Sequence, residues 1–291
     1  YAQSGGIIEA TTASVEAGQN INLTGGKVQA NTANLNANDD ITVVGGEVQA
    51  TTATLTADNI VLTNGTVFAS GTASLTATNG AISEGTSFAL EAPVLNISAA
   101  GDINLASGYN QLEQVNINNA GSSVTIGSAN SKNSNALQIK TNAPIVGNLT
   151  VTNYKDNSAN VNAIEVSDQL QANGTITLIN KETAIVVDEN ASITATDVVI
   201  EATEITVAGQ MTAANATNLN AGSIAVNGTV NTTSGTTTLT STGNLTLSGS
   251  STGNVGGNAI KVSAGQDFIH NGGLIDTPNA VIQAQRKILL Q

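Results

Sequence analysis

The sequence predicts an all-β fold, a three-sided β-solenoid whose parallel coils take about 20 residues each. Three observations carry that expectation: a strict short repeat, a period-two alternation of apolar and polar residues within each repeat, and turn-forming dipeptides between the alternating runs. Written from its glycines, the first part of the chain reads GGIIEATTASVEAGQNINLT, GGKVQANTANLNANDDITVV, GGEVQATTATLTADNIVLT and NGTVFASGTASLTATNGAIS. The second glycines fall at Gly6, Gly26, Gly46, Gly65 and Gly85, so the steps are 20, 20, 19 and 20. Val15, Leu35, Leu55, Leu75 and Leu95 form an aliphatic column at a step of 20. Ala17, Ala37, Ala57 and Ala77 form a second column, and Thr12, Thr32, Thr52 and Thr72 a third. A unit this short cannot bury its own apolar face, so it must stack on its neighbours.

Within the second unit, Val28 and Ala30, then Ala33, Leu35 and Ala37, then Ile41 and Val43 fall on one face. Thr, Asn, Gln and Asp fill the other, and no 3.6-residue spacing competes. Short runs separated by Gly-Gly, Asn-Gly or Asn-Asp describe the three sides of one coil. Each coil rises by one inter-strand spacing, about 4.8 Å. A one-residue slip would turn every inward side chain to solvent, which explains the strict step.

The regular coils run over 1–126 of a single solenoid. Leu95 and Ile97 recur as Val115 and Ile117, and Ile103 and Leu105 as Val124 and Ile126. Pro93 stands in the column of Ala13, Ala33, Ala53 and Ala73; lacking a ladder donor, it belongs at a strand start or a bulge. Residues 127–163 are polar and Asn-rich, and read as coils with longer loops. Regular coils resume over 164–291: Ile164 and Val166 recur as Ile185 and Val187, Ile205 and Val207, Ile224 and Val226, then Leu245 and Leu247. Dividing 291 residues by about 20 gives roughly 14 coils.

Composition narrows the function. A net charge of -13 argues against nucleic acid and against anionic membrane surfaces. Without cysteine the chain has neither a disulfide framework nor a thiolate metal site. No apolar run reaches the roughly 20 residues of a membrane span, and no signal peptide is visible. The abrupt start at Tyr1 and the close on Ile288-Leu289-Leu290 read as a piece excised or processed from something longer. Uncovered ends would then continue into more chain or stack on a partner copy end to end.

A carbohydrate-active β-helix enzyme would need clustered carboxylates and cationic or aromatic partners. The single histidine, His270, reads as a turn residue, and Arg286 is out of register with it. Asp39-Asp40 sits where flanking units carry Gln19-Asn20 and Asp58-Asn59, a turn whose side chains bond their own backbone. Asp188, Glu189, Glu201 and Glu204 read as a solvated acidic face. No metal site or cofactor is expected. Exposed threonines such as Thr11-Thr12, Thr51-Thr52 and Thr236-Thr237-Thr238 suggest an ice-binding alternative, but Asn31 and Gly71 interrupt the ladder. Tyr154-Lys155-Asp156, an aromatic with flanking charges in a loop, is the one candidate binding site, for a glycan or other host-surface ligand.

The units GGKVQANTANLNANDDITVV and SAGQDFIHNGGLIDTPNAVIQAQ resemble the repeats of filamentous-haemagglutinin-type exoproteins of bacterial two-partner secretion. The resemblance implies a right-handed parallel β-helix displayed outside a Gram-negative cell. With it the expectation is a non-catalytic shaft of a secreted adhesin or extracellular filament.

Overall fold

The computed structural model describes residues 1–129, 135–154, 163–249 and 254–291. Among them there is no helix; the structure is all β, with parallel coils of about 20 residues stacked through about 14 turns. No helix is therefore long and apolar enough to cross a membrane. The chain divides into two compact units, and the division falls within the polar stretch flagged above. One holds Tyr1–Leu137, Thr141–Gly147 and Val151–Val161; the other holds Gln138–Lys140, Asn148–Thr150 and Asn162–Gln291.

In the first unit the two opening sides of each coil share one continuous strand, as in Lys27–Ala37 and Glu47–Ala57. The corner is a change of phase. Val48 and Ala50 point inward, Thr51 and Thr52 both point outward, and Ala53, Leu55 and Ala57 point inward again. Two successive outward residues turn the chain without breaking its ladder. The third side is a separate strand, such as Ile21–Leu23, Asp40–Val44 or Asn59–Thr63.

The strands pair in parallel, each coil with the next. Val15 pairs with Leu35, Leu35 with Leu55 and Leu55 with Leu75. On the third side Ile21, Ile41, Ile60, Ile82, Ile103 and Val124 stack in one column, and each is at most 1% exposed. At about 1.5–3 kcal/mol for each fully buried aliphatic, these columns are the main favourable contribution to stability.

In the fifth coil the step rises from 19–20 to 22–23. Leu75 pairs with Ile97, and Leu95 pairs with Ala73, so Leu95 leaves the leucine column. Gly85 leaves the glycine column as well: Ala89 N–H donates to Gly65 O, which puts Phe88 in the next place. The cause is an insertion, Gly85-Thr86-Ser87, at the corner before the buried Phe88. Pro93 follows at the next corner, outside the Ala73 column, where no ladder donor is needed. Equal spacing of look-alike residues could not reveal an insertion that a later residue type happened to mask.

The other unit has the same three sides. Ser192–Val207 and Gln210–Val226 each pass through all three as one strand, with phase changes at the corners. The column Ile164, Ile185, Ile205, Ile224, Leu245 follows the sequence reading and continues to Phe268 and Ile288. His270 lies on the strand Asp267–Asn271, between Leu247 and Leu290 in an inward column, rather than in a turn. Its ring lies parallel to Phe268 at a centroid distance of 6.5 Å. Thr237, read as exposed, is buried: Thr217, Thr232 and Thr237 form an internal hydroxyl chain that ends on Gly256 O at 2.7 Å.

Several corner glycines are fixed by the closeness of the coil above. A methyl on Gly121 would sit 1.9 Å from Ala100 O, whereas one on Gly18 would meet nothing within 4 Å. Gly121→Ala should lower the urea midpoint by an amount equivalent to ~1–3 kcal/mol. Gly18→Ala should leave it unchanged or raise it slightly, since it removes only unfolded-state freedom.

Candidate functional site

The structure places Tyr154 just after the strand Leu149–Asn153. Its N–H donates to Ser128 O at 2.7 Å, and its ring lies over a floor of glycine backbone. A Cβ at Gly127 would come within 2.8 Å of Tyr154 Cε2, and one at Gly108 within 3.7 Å of Cδ2. Tyr154 is 39% exposed, and part of its ring packs on the solenoid wall. Lys155 and Asp156 lie outside the described residues. Of this triplet the structure describes Tyr154, whose ring packs against the Gly108 and Gly127 backbone.

The turn carboxylates do something other than bond their own backbone: they link coils. Asn20 Oδ1 accepts from Asp40 N–H at 3.0 Å, Asp40 Oδ1 from Asn59 Nδ2 at 2.8 Å, and Asn59 Oδ1 from Ala81 N–H at 3.0 Å. Asp58 accepts in parallel from Thr78 and Asn79. Hydrogen bonds from Ser122 and Ser123 hold the Asp102 carboxyl below its usual range. These groups have a structural use, joining one coil to the next.

The acidic set read from the sequence is not one cluster. Glu201 lies 4.0 Å from Lys181, while Glu189 and Glu204 are exposed. Asp188 instead meets Glu165, a residue the sequence reading passed over. Burial and the hydrogen bond and charge of Asp188 push the Glu165 carboxyl up, against a hydrogen bond from Gln138 that lowers it. Neighbouring carboxyls are a common arrangement for acid–base work. Among the described residues no three His, Cys, Asp or Glu gather to hold a metal ion. Arg286 is spoken for by an ion pair with Asp267 at 3.5 Å.

The other residue missed is Glu84. Leu23 pairs with Val43, Val43 with Leu62 and Leu62 with Glu84, so a carboxyl replaces an aliphatic in an inward column. Its Oε2 accepts from Ser107 N–H and Asn110 Nδ2, both at 2.9 Å, and its buried Oε1 has no partner among the described residues. Asn110, fully buried, also donates to Leu105 O and Gly127 O and accepts from Leu90 N–H. Ser107 Oγ donates to Phe88 O at 2.6 Å. This network satisfies the backbone that the 85–88 insertion exposes inside the coil. A step of 22 from Leu62 would have found Glu84 in the sequence, but the nominal step of 20 points to Ile82.

Comparison of the chain with protein-family models, with curated proteins and with solved structures returned no match.

Burial pushes the Glu84 carboxyl from 4.5 up to about 7, outweighing the hydrogen bonds from Ser107 and Asn110. Between those values the folded chain holds a proton that the unfolded chain releases. The stabilisation is therefore complete below about pH 4.5 and is lost as pH rises through about 7. Urea unfolding should report a loss on the order of 3 kcal/mol between about pH 5 and pH 8 from this group. Glu84→Gln, which mimics the protonated form, should flatten that dependence.

Proposed function

We propose that the chain is a non-catalytic structural shaft of a secreted bacterial surface adhesin or extracellular filament. The observation that carries this reading is the division of labour between columns. Inward positions hold aliphatics in register coil after coil, while many outward positions exchange among polar residues, as Ser14, Asn34, Thr54 and Ser74 do. Such a repeat sets length and stiffness, and reserves few outward positions for chemistry. The carboxylates are largely engaged in ladders and ion pairs between coils, as expected where polar groups serve to lock the stack.

End-to-end packing or continuation into further coils belongs to the same proposal. Ile288 and Leu290 extend the inward columns of Phe268 and His270, yet are 50% and 71% exposed. Interior aliphatics in that state favour an apolar cover, which a second copy stacked on them would supply. Display outside a Gram-negative cell rests on the repeat resemblance alone.

Electron microscopy of the purified chain should find end-to-end assemblies, and uniformly single particles would remove the filament half of the proposal. Incubation with neutral and acidic polysaccharides should release no new reducing or unsaturated ends. A cleavage activity abolished by Glu165→Gln and Asp188→Asn would overturn the non-catalytic half.

A further inference from the structure

We infer that the outer corner of the first four coils is a binding groove for a neutral, extended oligosaccharide. This goes beyond the shaft reading and does not rest on it. The groove, about 290 Å³, runs in the stacking direction over the bend between the first two sides. One wall is an outward column in strict register, Glu9, Gln29, Gln49 and Phe68. Asn31, Thr51 and Ser70 stand along the other side of the corner.

Three features set this corner apart from the remaining outward surface. First, its amides are uncommitted: Gln29, Asn31 and Gln49 have no side-chain hydrogen bond among the described residues, unlike the Asn and Asp ladders at the third-side corner. Second, Phe68 is a half-buried aromatic on an outward column whose other members are Glu and Gln. An inward Val67 and Ala69 on either side show that its orientation is outward by the pleat, so it is no misplaced core residue. Third, the fourth coil carries an extra residue just here. The register shifts between Ala50 and Thr52, and Ser70-Gly71 opposes Thr51. Such a bulge re-aims the chain locally, and bulges are over-represented beside binding sites.

Together these groups match the chemistry of a pyranose chain. Amide N–H groups donate to, and amide oxygens accept from, ring hydroxyls; the phenyl face stacks on the apolar C–H face of a sugar; the Glu9 carboxylate accepts from further hydroxyls. Ala10 and Ala30 also line the groove. Successive wall residues step by about 4.8 Å, so the column spans about 14 Å over three steps, enough for a short run of sugar rings. The charge selects within the class. Lys27 is held by Glu47 at 3.2 Å, which leaves Glu9 as the groove's own charge, and the chain as a whole carries -13. Uronate, sialate or sulfate polymers would meet repulsion, and neutral glycans would not.

Titration calorimetry with a β-1,4-linked glucose hexamer and, separately, an α-1,4-linked galacturonate hexamer tests the inference. The neutral hexamer should bind with a Kd on the order of 1 mM or tighter, and the galacturonate hexamer should give no heat. Phe68→Ala should weaken the neutral hexamer about tenfold, and Gln29→Ala with Gln49→Ala by a similar factor. All three side chains point outward, so circular dichroism should report an intact fold in each variant. Thr206→Ala, an outward position in the other unit, should change nothing. The proposal is overturned by absence of binding to the neutral hexamer, by tighter binding of the galacturonate, or by an affinity that Phe68→Ala and the paired glutamine variant leave unaltered.

Discussion

The structure depends on one constraint: each residue must find its counterpart directly above and below it in the parallel ladder. Strands that pair in parallel have no partner within their own coil, so every backbone hydrogen bond of a side is made to another turn of the chain. Register is consequently inherited from coil to coil. The aliphatic columns, the corner glycines and the polar ladders are different answers to the same requirement of vertical equivalence.

That requirement explains where irregularity can be tolerated. The corner before Phe88 accepts an insertion because the extra backbone is satisfied from within by Ser107, Asn110 and Glu84. The fourth-coil corner accepts an extra residue at Ser70-Gly71 because two outward residues already change phase there. Buried polar groups collect at such places: Glu84 with Asn110 in one unit, and Thr217, Thr232 and Thr237 in the other. Each substitutes for a ladder bond that strict repetition would have made with backbone alone. The cost is visible at Glu84, whose second oxygen is buried without a donor among the described residues and whose carboxyl is pushed up to about 7.

Polar residues outside the core divide into two kinds. At the third-side corner Asn20, Asp40, Asn59 and Asp58 bond the next coil and so behave as part of the scaffold. At the first corner Gln29, Asn31 and Gln49 have no such work. Residue type does not separate the two, since Asn and Gln occur in both. What separates them is whether the neighbouring coil offers a partner at hydrogen-bonding distance.

The sequence by itself determined the fold class, the coil length and most inward columns, because period-two alternation and a step near 20 are local facts that stacking preserves. Val15, Leu35, Leu55 and Leu75 lie where their spacing says. Only the tertiary structure decided that Leu95 and Gly85 leave their columns, that Glu84, Thr237 and His270 enter inward ones, and that Asp188 meets Glu165. The reason is physical. Insertions of one to three residues at corners change the register of everything beyond them, and a corner's length is set by how its backbone is satisfied by the coil above. Periodicity averages over such corners, and the residues that depart from it are found only when the coils are stacked.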